Sequence, residues 1–283
     1  MSDYVEQGVL YICGTPIGNL EDITLRALRI LKEVDFIACE DTRQTIKLIN
    51  HYQISTKLIS YHEHNEHKRA EEIIHLLLNN KNIALVSDAG TPLISDPGNI
   101  LIQKAIENKI KIIPISGPSA FLLSIISSGF DLSSFVYNGF FSREKNKRKI
   151  EISLLLKEKK TSVYYESPHR IIETLKDIQH ILGKRKVCIG REITKKFEEF
   201  ITKDVEEIIH HFQLNTPKGE FCLVIQGAED IKEIFDPNKF EERVNDLNLK
   251  NYTKKEISKT LALEFNLSSK EIYSKLIQKV DNL

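Results

Sequence analysis

The chain has 283 residues, which is long enough for two domains or one large domain with a sizeable core. Hydrophobic residues make up 41% and charged residues 28%, a composition that is ordinary for a soluble globular protein. Lysine and arginine together number 40, as do aspartate and glutamate, so the overall charge indicates neither a nucleic-acid nor a membrane partner, and any electrostatic recognition must come from local clusters.

Short apolar runs alternate with amphipathic segments through the first 115 residues. Each run is bounded by polar or turn residues, which is typical of a buried strand. The predicted strands are Val9–Cys13, Phe36–Cys39, Lys57–Ser60, Ile83–Val86 and Ile110–Ile115. Apolar residues at helical spacing lie between them. Strands that alternate with helices predict a mostly parallel sheet that is covered on both faces.

The segment SDAGTPLISDPG, from Ser87 to Gly98, follows the fourth predicted strand. Two glycines, two prolines and two aspartates in twelve residues make the backbone turn repeatedly. A simple strand-to-helix connection usually takes roughly two to six residues. We therefore predict that this segment is the floor of a ligand site and that the next helix begins near Asp96 or Pro97. The alternative is a tight connection that binds nothing.

A second series of strands and helices follows the Gly/Pro turn Ser116–Ala120. The predicted strands are Phe135–Asn138, Ser162–Tyr165, Val187–Gly190, Glu199–Thr202 and Phe221–Gln226. Helices are predicted through about Ile126, after Arg143 and over Arg170–Leu182, and Thr216–Glu220 predicts a hairpin or turn.

From Ala228 the composition predicts a linker, and capping-box patterns at Thr253 and Ser268 predict two short helices. Such a pair is more often a packing or dimer element than a DNA reader. We predict an α/β fold with two successive α/β domains on mostly parallel sheets, residues 1–116 and 117–228, followed by a linker and helical tail, residues 229–283.

Two further features concern the cellular compartment. The N-terminus has no basic region followed by an apolar core, and no apolar run approaches the ~20 residues that span a bilayer, so we expect a cytoplasmic protein without a membrane partner. The cysteines Cys13, Cys39, Cys188 and Cys222 lie in apolar stretches without a CxxC pair. They predict buried, reduced thiols and disfavour a zinc site or disulfide framework.

Three Gly/Pro turns end predicted strands: Gly14–Gly18, Asp88–Gly98 and Ser116–Ala120. In a parallel sheet such loops share one edge, so they can converge on one ligand, which small residues let the backbone approach closely. None matches GxxxxGK[ST], and no GxGxxG follows the first strand, which disfavours an ordinary triphosphate or dinucleotide site. An adenosine-containing ligand held largely by backbone remains open.

Six motifs occur in a fixed order. They are GTPIGNL from Gly14, CEDTR from Cys39, HNE from His64, SDAGTPLISDPG from Ser87, SGPSA from Ser116 and YESPHR from Tyr165. With them, the chain from about Val9 to Gly227 closely resembles the ribosomal RNA small subunit methyltransferase I family, a branch of the tetrapyrrole methylase superfamily. The C-terminal helices also resemble that family's tail.

The resemblance implies a class III methyltransferase that binds S-adenosyl-L-methionine in the cleft between its two domains, usually as a homodimer. Its implied substrate is the 2′-hydroxyl of a cytidine in the decoding region of bacterial 16S rRNA, at rRNA position 1402. The implied partner is therefore the small ribosomal subunit, with no DNA partner and no metal. The cofactor residues implied are Pro16, Asp88, Gly90, Thr91, Ile94, Ser119, Ala120, Tyr165 and Glu166.

The catalytic residues are not fixed by any motif. A protonated ribose hydroxyl is a poor nucleophile, so a positioned base should accelerate transfer, typically by ~10²–10⁴-fold. Glu40, Asp41 and Arg43 are the first candidates because they follow a strand at the ligand edge. Alternatively, Asp41 or Thr42 caps the next helix and Arg43 pairs with it. Glu166 is the second candidate, with a role in positioning the backbone as its alternative.

Five of the seven residues from Arg143 to Lys149 are basic and follow Phe140 and Phe141. Such cations can bind RNA phosphates, and the aromatic rings beside them can stack on bases. The alternative, and the more usual one for such a run, is a solvent-exposed helix face. The RNA-binding candidates are Arg43, His64, Arg143, Lys145, Lys147, Arg148, Lys149 and Arg170. His62, His64 and His67 do not match HExxH, so they predict a polar lip that contacts RNA, or a helix entry, rather than a metal site.

Two other functions remain open at this point. One is methylation of a small molecule such as a tetrapyrrole precursor, which the basic run and the Glu-Asp-Thr-Arg motif disfavour. The other is a non-enzymatic RNA-binding factor, which the intact cofactor loops disfavour.

Overall fold

A computed structural model of the protein describes residues 7–229, 237–250, 252–264 and 268–278. Contacts divide the chain into two units, residues 1–228 and 229–283. In the described ranges, no helix is long and apolar enough to cross a membrane.

The first sheet contains five parallel strands in the order β3-β2-β4-β1-β5. They are β1 (Val9–Cys13), β2 (Phe36–Cys39), β3 (Lys57–Ser60), β4 (Ile83–Val86) and β5 (Lys111–Ile115). Every residue of β1 and β4 is buried, as expected for central parallel strands with helices on both faces. The five strands predicted for this half are confirmed, with β5 beginning one residue later than predicted.

Helices cover both faces of this sheet. They are α1 (Leu25–Glu33), α2 (Thr42–His51), α3 (Glu66–Leu78) and α4 (Asn99–Glu107), with a short 3-10 turn at Leu20–Asp22. Successive side chains of a strand point to opposite faces. Tyr11 therefore packs with Ile30 of α1 on one face, whereas Leu10 packs with Ile73 of α3 on the other.

The second sheet has the order β6-β7-β10-β8-β9. Its strands are β6 (Phe135–Phe140), β7 (Thr161–Glu166), β8 (Lys186–Arg191), β9 (Glu199–Asp204) and β10 (Phe221–Ile225). β6 and β7 are parallel, whereas β10 is antiparallel to β7 and β8, and β8 is antiparallel to β9. Over the two sheets together most strand pairs are parallel, as predicted, and the antiparallel pairs are confined to the second sheet.

Four helices pack on the second sheet: α5 (Ala120–Ser128), α6 (Lys145–Leu154), α7 (Ile171–Leu182) and α8 (Val205–Leu214). Ile125 of α5 packs on one face of the sheet, and residues of α7 and α8 form the core on the other. Helix α8 is absent from the sequence-based prediction, although Val205, Ile208 and Phe212 recur at helical spacing and are buried. The segment Thr216–Glu220 is therefore a turn from a helix to a strand rather than a hairpin.

Helix α4 begins at Asn99, two to three residues later than predicted. The chain before it is not helical because Leu93 and Ser95 have φ of 76° and 69°, and Gly98 has φ of 142°. A Cβ on Gly98 would lie 2.8 Å from a methyl carbon of Leu93. The turn chemistry of the segment therefore extends through Gly98, which keeps Asp96 outside the helix.

The second unit contains three helices: α9 (Pro237–Leu249), α10 (Lys254–Glu264) and α11 (Ser269–Gln278). Their small core includes Leu247, Ile257 and Ile272. The Thr253 hydroxyl accepts the Glu256 N–H at 3.3 Å while the Glu256 carboxylate accepts the Thr253 N–H at 2.8 Å, so this capping box is confirmed. Residues 230–236 of the predicted linker lie outside the described residues.

Candidate functional site

The three Gly/Pro turns come together because β1 and β4 are neighbours in the first sheet. Thr15 and Gly90 exchange backbone hydrogen bonds of 2.8 and 3.0 Å, which joins the turn after β1 to the segment after β4. The Thr91 hydroxyl donates to the Pro118 carbonyl at 3.1 Å, which ties that segment to the turn before α5. The predicted convergence of the loops is confirmed.

Two glycines allow the outer turns to touch. A Cβ added to Gly14 would lie 2.8 Å from the Gly117 Cα, and one added to Gly117 would lie 2.7 Å from the Gly14 Cα. Real Cβ atoms essentially never approach another atom this closely. Both positions therefore require glycine for the backbones to remain at this distance.

A pocket of about 340 Å³ lies between the converging loops and the second sheet. Seven of the nine predicted cofactor residues line it: Gly90, Thr91, Ile94, Ser119, Ala120, Tyr165 and Glu166. Pro16 does not line it, although the next residue, Ile17, does. Asp88 is also outside the lining, and its carboxylate accepts the backbone N–H of Asp41 at 3.0 Å.

Several residues that line the pocket are absent from the sequence-based prediction. Asp96 lies inside the long turn segment and Phe140 directly before the basic run, so neighbouring motifs in the sequence could have indicated both residues. No sequence motif indicates Ile193 or Phe221, because only the topology of the second sheet brings them to the pocket. The pocket is thus built by both α/β halves of the first unit.

Asp41 and Arg43 form a helix cap and an ion pair. Asp41 is the N-cap of α2, its carboxylate accepts the Arg43 N–H at 2.8 Å, and the Arg43 guanidinium donates to it at 2.7 Å. These hydrogen bonds, led by the one from the Arg43 side chain, lower the Asp41 pKa to about 2. A carboxylate with so low a pKa is a weak proton acceptor. The structure thus shows the alternative in which Asp41 caps the helix and Arg43 pairs with it. Neither residue lines the pocket.

Glu40 directly precedes the Asp41 cap and does not line the pocket. Burial raises its pKa, and the negative charge of Asp88 adds to the effect. The motif Glu-Asp-Thr-Arg therefore contains one ionised, paired carboxylate and one that binds a proton more readily.

Glu166 is a structural residue. Its fully buried carboxylate accepts hydrogen bonds from the Ser167 N–H at 2.8 Å and the Thr174 hydroxyl at 2.7 Å, and Arg170 lies 2.7 Å away. Both oxygens are thus engaged, which favours the positioning alternative over a catalytic base. The Arg170 side chain is 20% exposed and paired with Glu166, which leaves little of it for the RNA contact predicted from sequence.

The basic run divides into a buried part and an exposed part. The Arg148 side chain is 1% exposed and donates to Asp177 at 2.7 and 3.0 Å, so its prediction as an RNA ligand is wrong. Lys145 and Lys147 are exposed and Lys149 is partly exposed, and each lies within 4 Å of an acidic side chain of α6, α7 or their flanks.

The two phenylalanines before the basic run also differ in burial. Phe141 is buried and stacked on Tyr164 with ring centroids 3.7 Å apart. Phe140 is 54% exposed and lines the pocket. Of the other RNA candidates, Arg43, His64 and Arg143 are exposed.

The histidines belong to the turn that enters α3. The His62 N–H donates to the Asn65 side chain at 2.9 Å, and the His62 and His64 rings are 5.9 Å apart. Within the described ranges, no three histidine, cysteine, aspartate or glutamate side chains are grouped to hold a metal ion. The four cysteines are buried, as predicted.

Comparisons with known proteins agree with this architecture. Residues 9–209 match the model of the family described as Tetrapyrrole (Corrin/Porphyrin) Methylases. A protein of Halalkalibacterium halodurans is 50% identical over 222 residues, covering 78% of this chain and 77% of the relative, and one of Synechocystis is 45% identical over 269 residues, covering 94% and 96%. Both are named ribosomal RNA small subunit methyltransferase I.

The chain belongs to this methyltransferase family. Its fold is similar to that of uroporphyrin-III-C-methyltransferase from Thermus thermophilus, with a TM-score of 0.55 and 16% identity over 78% of this chain and 94% of the other. It is also similar to that of a diphthine synthase, with a TM-score of 0.60 and 13% identity over 77% and 90%.

Family membership makes the chain a methyltransferase that uses S-adenosyl-L-methionine. The pocket fits such a cofactor because its volume lies within the range of about 300–1,000 Å³ that is usual for small-molecule sites. Small residues such as Gly90 and Ala120 leave backbone atoms accessible along its wall, and Tyr165 and Phe221 supply flat apolar surface. Polar backbone groups together with apolar rings suit a nucleoside that carries an amino-acid chain.

Proposed function

We propose that the protein methylates the 2′-hydroxyl of a cytidine in the decoding region of 16S rRNA, at rRNA position 1402, using S-adenosyl-L-methionine. The observation that supports the proposal most strongly is a pocket of cofactor size that the exposed ring of Phe140 helps to line. Phe140 comes shortly before α6 in the chain, and α6 carries exposed basic side chains. The names of the relatives support rRNA of the small subunit as the substrate.

The proposed mechanism depends on geometry. The bound cofactor supplies an electrophilic methyl group on a sulfonium. The loops at Gly90–Ile94 and Ser119–Ala120 fix the cofactor, and the apolar wall of Tyr165 and Phe221 keeps water from the reacting atoms. Holding the attacking oxygen, carbon and sulfur in line can supply up to about 7–11 kcal/mol of the barrier.

The proposed RNA surface consists of Phe140, Arg143, Lys145 and Lys147. An exposed aromatic ring at the pocket rim can stack on a base that is turned out of its RNA helix. The exposed cations can contact phosphates on either side of that nucleotide. This surface retains the prediction for Arg143, Lys145 and Lys147 and omits Arg148 and Lys149, which both lie within 4 Å of Asp177.

We predict that the double substitution Lys145→Ala and Lys147→Ala raises KM for the ribosomal substrate while the affinity for S-adenosyl-L-methionine stays unchanged. Each lost phosphate contact should make the slope of log affinity against log salt less steep by roughly 0.7–0.9, which salt titrations of RNA binding measure. Lys32→Ala, at an exposed site in the last turn of α1, is the matched control. An unchanged salt slope in the double variant would place the RNA elsewhere.

Transfer of labelled methyl groups to isolated small subunits tests the proposed function. Subunits from cells that lack this protein should accept label, and subunits that already carry the modification should not. Incorporation into neither, with cofactor binding intact, would contradict the rRNA proposal and favour a small-molecule acceptor. The homodimer implied by the resemblance stays a prediction, which sedimentation equilibrium tests directly.

A further inference from the structure

A second pocket, of about 350 Å³, lies between β6, β7 and the C-terminal half of α6. Ser162 and Tyr164 of β7 line it, whereas Tyr165, which points to the opposite face of the sheet, lines the cofactor pocket. Phe140 ends the edge strand β6 and lines both pockets. The second pocket is therefore next to the proposed site of methyl transfer, on the other side of Phe140.

The second pocket contains a buried hydroxyl without a partner. Ser162 is 2% exposed, and within the part of the chain that the structure describes its Oγ makes no hydrogen bond. Buried polar side-chain atoms are nearly always hydrogen-bonded, because an unpaired one has lost its contacts with water without replacing them. The Ser162 hydroxyl is therefore available to a group that enters the pocket.

Two glutamates give the second pocket a negative charge. The Glu151 Oε2 accepts the Ser142 N–H at 2.9 Å. The Glu158 Oε1 accepts the Lys160 N–H at 2.9 Å. Among the described residues, no hydrogen bond reaches the other oxygen of either carboxylate, and neither carboxylate forms an ion pair. Burial raises the pKa of the Tyr164 hydroxyl and the charges of both glutamates add to the rise, so these carboxylates lie close enough to act on the pocket lining.

Cytosine and adenine have the hydrogen-bonding pattern that complements this lining. Each carries an exocyclic amino group, which donates, next to a ring nitrogen, which accepts. The glutamates can accept from the amino group while the Ser162 hydroxyl donates to the ring nitrogen. Uracil has a carbonyl oxygen in place of the amino group, and carboxylates repel that oxygen. Leu154, which is 71% exposed and lines the pocket, supplies apolar surface for a flat base.

The charge beside the second pocket suits an RNA backbone. Lys147 lies one helical turn before Glu151 on α6 and is 68% exposed. An RNA phosphate can therefore contact the lysine at the start of α6 while the attached base reaches the pocket at the end of the helix. The carboxylates of the pocket repel phosphate, which keeps the backbone outside.

We propose that the second pocket binds a nucleobase with an exocyclic amino group, cytosine or adenine, from the nucleotide next to the methylated one. Phe140 then separates two bases, with the target base stacked on the side of the cofactor pocket and its neighbour held by Ser162 and the glutamates. The inference rests on the proposed function, because it assigns a neighbouring base of the proposed rRNA substrate. It makes Ser162 a residue that determines substrate specificity.

The first test fills the pocket from its exposed side. Leu154→Trp should raise KM for unmodified small subunits about tenfold, with the affinity for S-adenosyl-L-methionine unchanged. The same substitution at Leu214, which is 73% exposed on α8, is the matched control and should leave KM unchanged.

The second test removes only the hydroxyl. Ser162→Val should raise KM by about threefold to tenfold, the effect of one hydrogen bond. Because it also removes an unpaired buried polar group, the variant should unfold at the same or a higher temperature than wild type. A lower unfolding temperature together with lost cofactor binding would show that Ser162 has a structural role and would overturn its assignment.

The third test needs no methyl transfer. Fluorescence anisotropy compares the binding of labelled oligocytidylate and oligouridylate of equal length to wild-type protein. We expect oligocytidylate to bind about tenfold more tightly, and Leu154→Trp to remove this preference.

These measurements separate the pocket from the proposed function. If the preference for cytosine is observed but wild-type protein methylates no small subunit, the pocket assignment stands and the proposed function fails. Equal affinities for the two oligonucleotides, or no binding of either, would overturn the assignment even if the subunit is methylated. A raised KM for Leu154→Trp without any base preference would likewise overturn it, since the pocket would then contact a ribosomal protein.

Discussion

Replacing Arg148 with alanine is expected to lower the free energy of unfolding by about 3–5 kcal/mol. The guanidinium is almost fully buried and donates two hydrogen bonds to Asp177, so its removal leaves a buried carboxylate without its hydrogen-bonding cation. Lys149 lies 3.9 Å from the other carboxylate oxygen and makes no hydrogen bond to it in the described contacts. Denaturant titration of the purified protein measures the loss.

The neighbouring residue gives the control. Lys147 lies on the same helix, is 68% exposed, and pairs with the exposed Glu144, so Lys147→Ala should change the free energy of unfolding by less than about 0.5 kcal/mol. A loss below 1 kcal/mol for Arg148→Ala would contradict the burial of this ion pair. It would also return Arg148 to the candidates for RNA contact.

The second large effect is expected at the contact between Gly14 and Gly117. Alanine at either position places a methyl group within 2.8 Å of backbone, which a side-chain rotation cannot relieve. The two turns must therefore separate, which moves the Thr15–Gly90 bridge and the loop at Ser119 that together shape the pocket. We expect the affinity for S-adenosyl-L-methionine, measured by isothermal titration calorimetry, to fall at least tenfold in Gly14→Ala and in Gly117→Ala.

Gly129→Ala separates this effect from general destabilisation. Gly129 has φ of 73° and nothing within 4 Å of an added Cβ, so alanine there strains the backbone without displacing a neighbour. This control should lower stability by about 1 kcal/mol and leave cofactor affinity unchanged. Equal cofactor affinities for Gly14→Ala and wild type would show that the contact between the turns does not shape the pocket.

The order of strands and turns was predictable from sequence because it depends on local patterns. Buried parallel strands such as Ile83–Val86 are short apolar runs between turn residues, and that signal is independent of the rest of the chain. The floor of the pocket followed from the density of glycine and proline in Ser87–Gly98. The capping box at Thr253 was predictable because it too is a local sequence pattern.

Side-chain roles within a motif were not predictable, because they depend on which residues the fold brings together from distant positions. In the sequence, Arg148 is one of five basic residues, and only the packing of α6 on α7 places Asp177 beside it. Glu166 and Arg170 are four residues apart, and their pairing favours a positioning role over the catalytic role predicted for Glu166 and the RNA contact predicted for Arg170. The sequence predicts a helix that begins near Asp96 or Pro97, whereas Leu93 and Ser95 have positive φ angles and Asp96 lines the pocket.

The position of the methyl group in the RNA tests the central claim most directly. After transfer of labelled methyl groups to unmodified small subunits, the rRNA is hydrolysed with alkali, which cannot cleave beside a 2′-O-methylated ribose because that hydroxyl is the attacking group. The account predicts that the label is recovered in one alkali-stable dinucleotide with cytidine at its 5′ position. Label recovered in mononucleotides would place the methyl group on a base and contradict it.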